Sequence, residues 1–150
     1  MASSLSHRPN ARCFSDSSIL RDVPNYRSWL NGAVLAVFHE ARREIKWKRV
    51  WHRNYTGVTT KESHESVIES FRTSCFVKSP LILLIKDENG NIFGGFSSCG
   101  VTPKIRIGGM GGDRRCFLFN LTNGNLFSPI GMDYFGLQWS DTSHALTWGG

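Results

Sequence analysis

Apolar positions recur at helical spacing in two stretches of this 150-residue chain and at strand spacing further on. After Pro24, the residues Trp29, Ala33, Val37 and Ala41, with Val34 and Phe38 beside them, fall on one stripe and predict a helix over Asn25 to Arg43. Gly32 inside it weakens the helix by roughly 1 kcal/mol relative to alanine. A second helix is announced by Thr59-Thr60-Lys61-Glu62, where a threonine oxygen can cap the first turn and Glu62 can return the bond. Val67, Ile68 and Phe71 form its core face, and it should end near Cys75. Between these helices Ile45, Trp47, Arg49, Trp51 and Arg53 alternate with Lys46, Lys48, Val50 and His52, which predicts a strand with long charged side chains on its wetter face.

The clearest local signals lie in the second half. Leu81-Ile82-Leu83-Leu84-Ile85 and Ile92-Phe93-Gly94-Gly95-Phe96 flank Asp87-Glu88-Asn89-Gly90, and Asn-Gly admits the positive backbone angles of a tight hairpin turn. A second Asn-Gly, Asn123-Gly124, follows Cys116 to Leu121 and precedes Leu126-Phe127, predicting another hairpin. The first strand of each hairpin is apolar throughout, so both are expected to be buried on two faces. Gly94 and Gly95 should lie where a backbone or a ring packs close, because glycine otherwise only weakens a strand.

Composition narrows the class. With 40% apolar and 12% aromatic residues the chain can fill a core, and its length is that of one ordinary domain. Residues 1–17 are polar and aperiodic and predict a disordered tail, leaving 18–150 as the folded domain. The N-terminus lacks the apolar run of a secretory signal, and no run approaches the roughly 20 residues of a membrane span, so a cytoplasmic protein with no transmembrane segment is expected. Cys13, Cys75, Cys99 and Cys116 show no paired spacing and are expected to be reduced thiols. The sequons at Asn54 and Asn120 read as chance.

The net charge of +6, and the mixing of basic and aromatic residues from Arg42 to Arg53, raise the alternative of a nucleic-acid or acidic-membrane binder. The solvated-strand reading of that segment is preferred, so nucleic acid is not the expected partner. Other chemistry finds little support. Gly108 to Gly112 fits no phosphate-cradling spacing, and the five histidines share no metal-ligand spacing. Asp87 and Glu88 belong to a turn tip, and no G-x-S-x-G elbow occurs. No catalytic residue, metal or cofactor is expected, and Cys99, in a Ser-Ser-Cys-Gly loop, is the one candidate for a reactive thiol.

An ordered series of motifs resembles the TLDc domain of oxidation-resistance proteins. The series is Trp47 to Arg53 with Gly57; Phe71-Arg72-Thr73-Ser74-Cys75; Pro80 leading the strand to Lys86; Phe93-Gly94-Gly95-Phe96-Ser97-Ser98; Phe117-Leu118-Phe119 after Asp113; and Trp148-Gly149-Gly150. The match is strongest over residues 47–150, with Asp16 to Leu20 resembling the family's opening. Departures fall at Arg72, Phe76 and Cys99-Gly100, where the family carries histidine, an acidic residue and tryptophan.

The resemblance implies an α+β fold, a sandwich of two antiparallel sheets flanked by helices. It also implies a chain that stops before the family's last strands and so leaves strand edges open. It further implies a non-catalytic protein-interaction module associated with protection from oxidative stress and with binding and regulation of the vacuolar proton-pumping ATPase. The partner would be the cytosolic sector of that pump. The signature residues are then structural: Trp47, Gly57, Phe71, Cys75, Pro80, Phe93, Gly94, Gly95, Phe96, Phe117, Leu118, Phe119, Gly149 and Gly150.

Overall fold

A computed structural model of the chain describes residues 14, 16–21, 23–37, 47–53, 64–76, 78–99, 114–129, 138–139 and 147–148. The fold is α+β, and the described residues form two helices and a four-stranded antiparallel sheet. It divides into two compact units, Met1–Arg49 and Val50–Gly150.

The first unit is organised by α1, Pro24–Val37. Proline suits the first turn because its missing N–H has no partner to lose there, and the Val23 carbonyl accepts the first bonds from Tyr26 and Arg27. Its buried residues are Leu30 and Val34, whereas Trp29, Ala33 and Val37 are only half-buried. Val34 is thus buried as expected, Leu30 replaces Trp29 and Ala33 as its buried partner, and the predicted continuation to Arg43 lies outside the described residues. Phe14, inside the stretch expected to be a tail, is buried and stacks on Trp47 with ring centroids 5.3 Å apart. Leu20 is fully buried, and its carbonyl accepts from Arg27 Nε at 2.8 Å, which fastens the turn before α1 to the helix.

In the second unit α2, His64–Cys75, ends where the sequence predicts and buries Ile68 and Phe71, with Val67 half-buried. Its predicted capping box lies outside the described residues. Residues 47–53 form no strand ladder, so the strand expected over Ile45 to Arg53 is corrected there to a segment without regular structure, while Ile45 and Lys46 lie outside the described residues. Trp51 nevertheless packs, its ring edge-on to Phe71 with centroids 5.3 Å apart and its indole N–H donating to Ser70 Oγ at 3.3 Å.

The sheet runs β1 (Leu81–Lys86), β2 (Ile92–Ser97), β3 (Phe117–Asn120) and β4 (Asn125–Phe127), in that spatial order. The β1–β2 hairpin forms as predicted, with Ile85 opposite Phe93 and Leu83 opposite Gly95. The turn is not a two-residue one. Gly90 alone takes a positive φ, +84°, its N–H donates to the Asp87 carbonyl at 3.1 Å, and the Asp87 N–H donates to the Asn91 carbonyl at 3.0 Å. That is a three-residue loop whose glycine occupies the left-handed position. Gly124, at φ +68°, serves the β3–β4 turn.

The expected two-faced burial of both leading strands is corrected. β1 is half-buried up to Leu84 and exposed at Ile85 and Lys86, and β3 alternates, with Phe117 and Phe119 buried around an exposed Leu118. The strand buried most completely is β2. β5 (Gln138–Trp139) and β6 (Thr147–Trp148) form a separate antiparallel pair.

At Gly94 the expected close approach is found. A Cβ there would overlap the Leu83 carbonyl oxygen and come to 3.0 Å of Phe119 Cζ. Gly95 is also buried. On the buried face Phe96 stacks on Phe117 at 5.1 Å, and Phe117 meets Phe119 at 6.1 Å. The β3–β4 turn is tied back to β2, because the Ile92 N–H donates to Thr122 Oγ1 at 2.8 Å and the Leu121 N–H donates to the Ile92 carbonyl at 2.8 Å.

Candidate functional site

Strand alternation sorts the signature residues into two sets. Ile92, Gly94 and Phe96 of β2 lie on the same face as Phe117 and Phe119 of β3, and all five are buried. Phe93 and Gly95 point the other way with Leu118, and the register carries that face to Leu83 and Ile85 on one side and to Phe127 on the other. At one end of this second face Leu81 and Leu83 pack with Trp51 against Phe71 and Cys75 of α2. Away from that end the face is open: Ile85, Phe93, Leu118 and Phe127 are 39%, 36%, 39% and 55% exposed.

Four large apolar side chains, in two cross-strand pairs on four adjacent strands of one sheet face, exceed the scattered single exposures of an ordinary surface. Asn120 and Asn125 pair with each other on the same face, and Asn120 also stands opposite Phe93, giving the patch a polar margin. The arrangement suits contact with another macromolecule. Among the described residues no group of three or more His, Cys, Asp or Glu could hold a metal ion.

The other signature residues serve the core. Phe71 and Cys75 are buried in α2, and Pro80 is half-buried after a cis Ser79–Pro80 bond. Trp47 is half-buried against Phe14, and its indole N–H, though itself buried, finds no acceptor. Gly57, Gly149 and Gly150 lie outside the described residues. So do the glycine cluster 108–112 and the basic stretch as far as Lys46, while Lys48, Arg49 and His52 beyond it are exposed. At the departures from the family pattern, Arg72 pairs with Glu69 at 3.5 Å, Phe76 is exposed and Cys99 is exposed.

The titratable groups behave as their surroundings dictate. The side-chain bond from Asn91 holds the Asp87 carboxyl below its usual range, and Asp87 Oδ1 also accepts from the Asn91 N–H at 2.7 Å. This turn carboxylate therefore stays ionised and is unsuited to acid catalysis. Burial pushes the Cys75 thiol up to about 11. Because its folded pKa exceeds the unfolded value, burial favours the protonated form. That contribution is complete below the ordinary thiol range and is lost as pH rises from about 9 through about 11. Denaturant titrations across that window should show stability falling more steeply in the wild type than in Cys75→Ala; parallel slopes would refute the assignment.

Two features escaped the sequence reading. The open apolar row was hidden because Phe93 and Leu118 sit inside runs that look like core, and only the register separates them from Phe96 and Phe117. Ser98 was passed over as a loop residue, yet its hydroxyl lies beside both Cys99 and Cys116.

Comparison with known proteins gives two matches. The family model of the TLDc domain matches residues 31–150. The MTOR-associated protein MEAK7 of Danio rerio is 48% identical over 50 residues, which is 32% of this chain and 10% of that relative. The chain thus aligns with about a tenth of the length of the curated relative it matches. No solved structure matches.

Proposed function

Since the chain belongs to the TLDc domain family, we propose that it is a non-catalytic protein-interaction module that works in the cytoplasm through the open face of its four-stranded sheet. The carrying observation is the row Ile85, Phe93, Leu118 and Phe127, exposed on one face while the opposite face of β2 and β3 is filled by stacked phenylalanines. In this reading the four-stranded sheet is one layer of the family's two-sheet sandwich. Its partner is the cytosolic sector of the vacuolar proton pump, and the activity belongs to protection from oxidative stress. The name of the Danio rerio relative associates that protein with MTOR, which supports a protein partner rather than a small substrate.

The test is association of the longest natural form of the protein with purified pump at physiological salt. Phe93→Ser and Leu118→Ser should each weaken binding by roughly tenfold or more, as expected of apolar contacts at an interface centre. Both variants should keep their fold, because neither side chain is buried. If the wild type fails to bind, the pump is not the partner; if the variants bind as well as the wild type, the sheet face is not the interface. Binding that vanishes steeply with added salt would instead favour the basic stretch 42–53 and an acidic or nucleic-acid partner. Purified protein should show no turnover of its own.

A further inference from the structure

β2 and β3 end at the same edge of their pairing, with Phe96 opposite Phe117 as the last matched residues. Cys116 immediately precedes Phe117, and Cys99 follows Ser97 by two residues, in a bend beyond the ladder. Ser98 Oγ lies 3.3 Å from Cys99 Sγ and 3.4 Å from Cys116 Sγ, so the two sulfurs are no further apart than those two distances together. One thiol is exposed and the other is buried. An exposed sulfur within a short movement of a sheltered one is the arrangement in which a first oxidation is resolved by a neighbour rather than running on to higher acids.

We propose that Cys99 and Cys116 form a hydroperoxide-sensitive thiol pair. The Cys99 thiolate attacks the O–O bond of a hydroperoxide, becoming sulfenic acid and releasing the corresponding alcohol, or water when the oxidant is hydrogen peroxide. The Cys116 sulfur then attacks the Cys99 sulfur, its proton leaves with the displaced hydroxide as water, and a Cys99–Cys116 disulfide remains. Two thiols thereby supply the two electrons that reduce one peroxide. Closing the bond requires the sulfurs to approach to about 2.05 Å. Cys99 can make that movement because it lies outside the last hydrogen-bonded pair of β2, whereas Cys116 is anchored in the core beside Phe117. The bond would join the end of β2 to the start of β3 and close residues 99–116 into a covalent ring.

The third described thiol is the internal control. Cys75 is buried in the α2 cluster with Phe71, and its raised pKa leaves little thiolate at neutral pH.

The experiment treats the fully reduced chain with hydrogen peroxide and follows intact mass and non-reducing peptide maps. The wild type and Cys75→Ser should lose the mass of two hydrogens, give one cross-linked peptide pair containing Cys99 and Cys116, and recover on reduction. Cys116→Ser should instead accumulate sulfenic acid at Cys99, trapped as a dimedone adduct, and Cys99→Ser should give neither product. The proposal is overturned if the wild type keeps both hydrogens, if Cys99 is found joined to another cysteine, or if Cys99→Ser oxidises as fast as the wild type. The wild-type map decides the matter even where a variant folds poorly.

Discussion

Phe96→Ala is expected to cost about 3–5 kcal/mol of folding stability, the range for deleting a fully buried phenylalanine. Phe96 is 0% exposed and stacks on Phe117, which in turn touches Phe119, so truncation removes one end of a buried three-ring row. The nearest residue on the same face of β2 cannot close the gap, since Gly94 contributes no side chain. Phe127→Ala, on the open face, removes the same chemistry from a residue that is 55% exposed and should cost under about 1 kcal/mol. Urea unfolding of the two variants checks the contrast. Equal losses would mean that the stacked row is not the centre of the core.

Gly94→Ala should be nearly as damaging, at about 3 kcal/mol and with a melting temperature lower by roughly 10 °C. The added methyl would meet a backbone carbonyl of β1 rather than a side chain that can turn away, so relief requires β1 and β2 to part. Gly32→Ala is the matched control. Nothing lies within 4 Å of its Cβ position in α1, and the same methyl there should raise stability by about 0.5–1 kcal/mol through helix propensity. If the two substitutions shift the melting temperature in the same direction, the close approach at Gly94 is not what the glycine serves.

The hairpins could be read from the sequence because their signals are local: an Asn-Gly between two apolar runs specifies both the reversal and the register. Finer details depended on distant neighbours. Asn89 was expected to share the positive backbone angle, but Gly90 alone takes it. Two interleaved apolar series run through α1, and packing selected Leu30 and Val34 over Trp29, Ala33 and Val37. Period-two alternation over Ile45 to Arg53 was necessary for a strand but not sufficient, since residues 47–53 find no ladder partner. β1 looked doubly buried because an edge strand and a central strand carry the same apolar composition. The Cys99–Cys116 proximity was illegible for a related reason, in that it arises from the β2–β3 pairing, which no short turn announces.

That pairing also carries the heaviest entropic load in the sheet. The connections β1–β2 and β3–β4 span only residues 87–91 and 121–124, whereas β2 and β3 are joined through residues 98–116. Loop-closure entropy grows by about 0.6 kcal/mol per doubling, so bringing β2 to β3 costs roughly 1 kcal/mol more than closing either hairpin. Both hairpins are held by their own turns, but the seam between them has to be held by what lies across it. Across it lie the Phe96–Phe117 stack and the Thr122 bond to the Ile92 amide, so these side-chain contacts do for the seam what a short turn does for each hairpin.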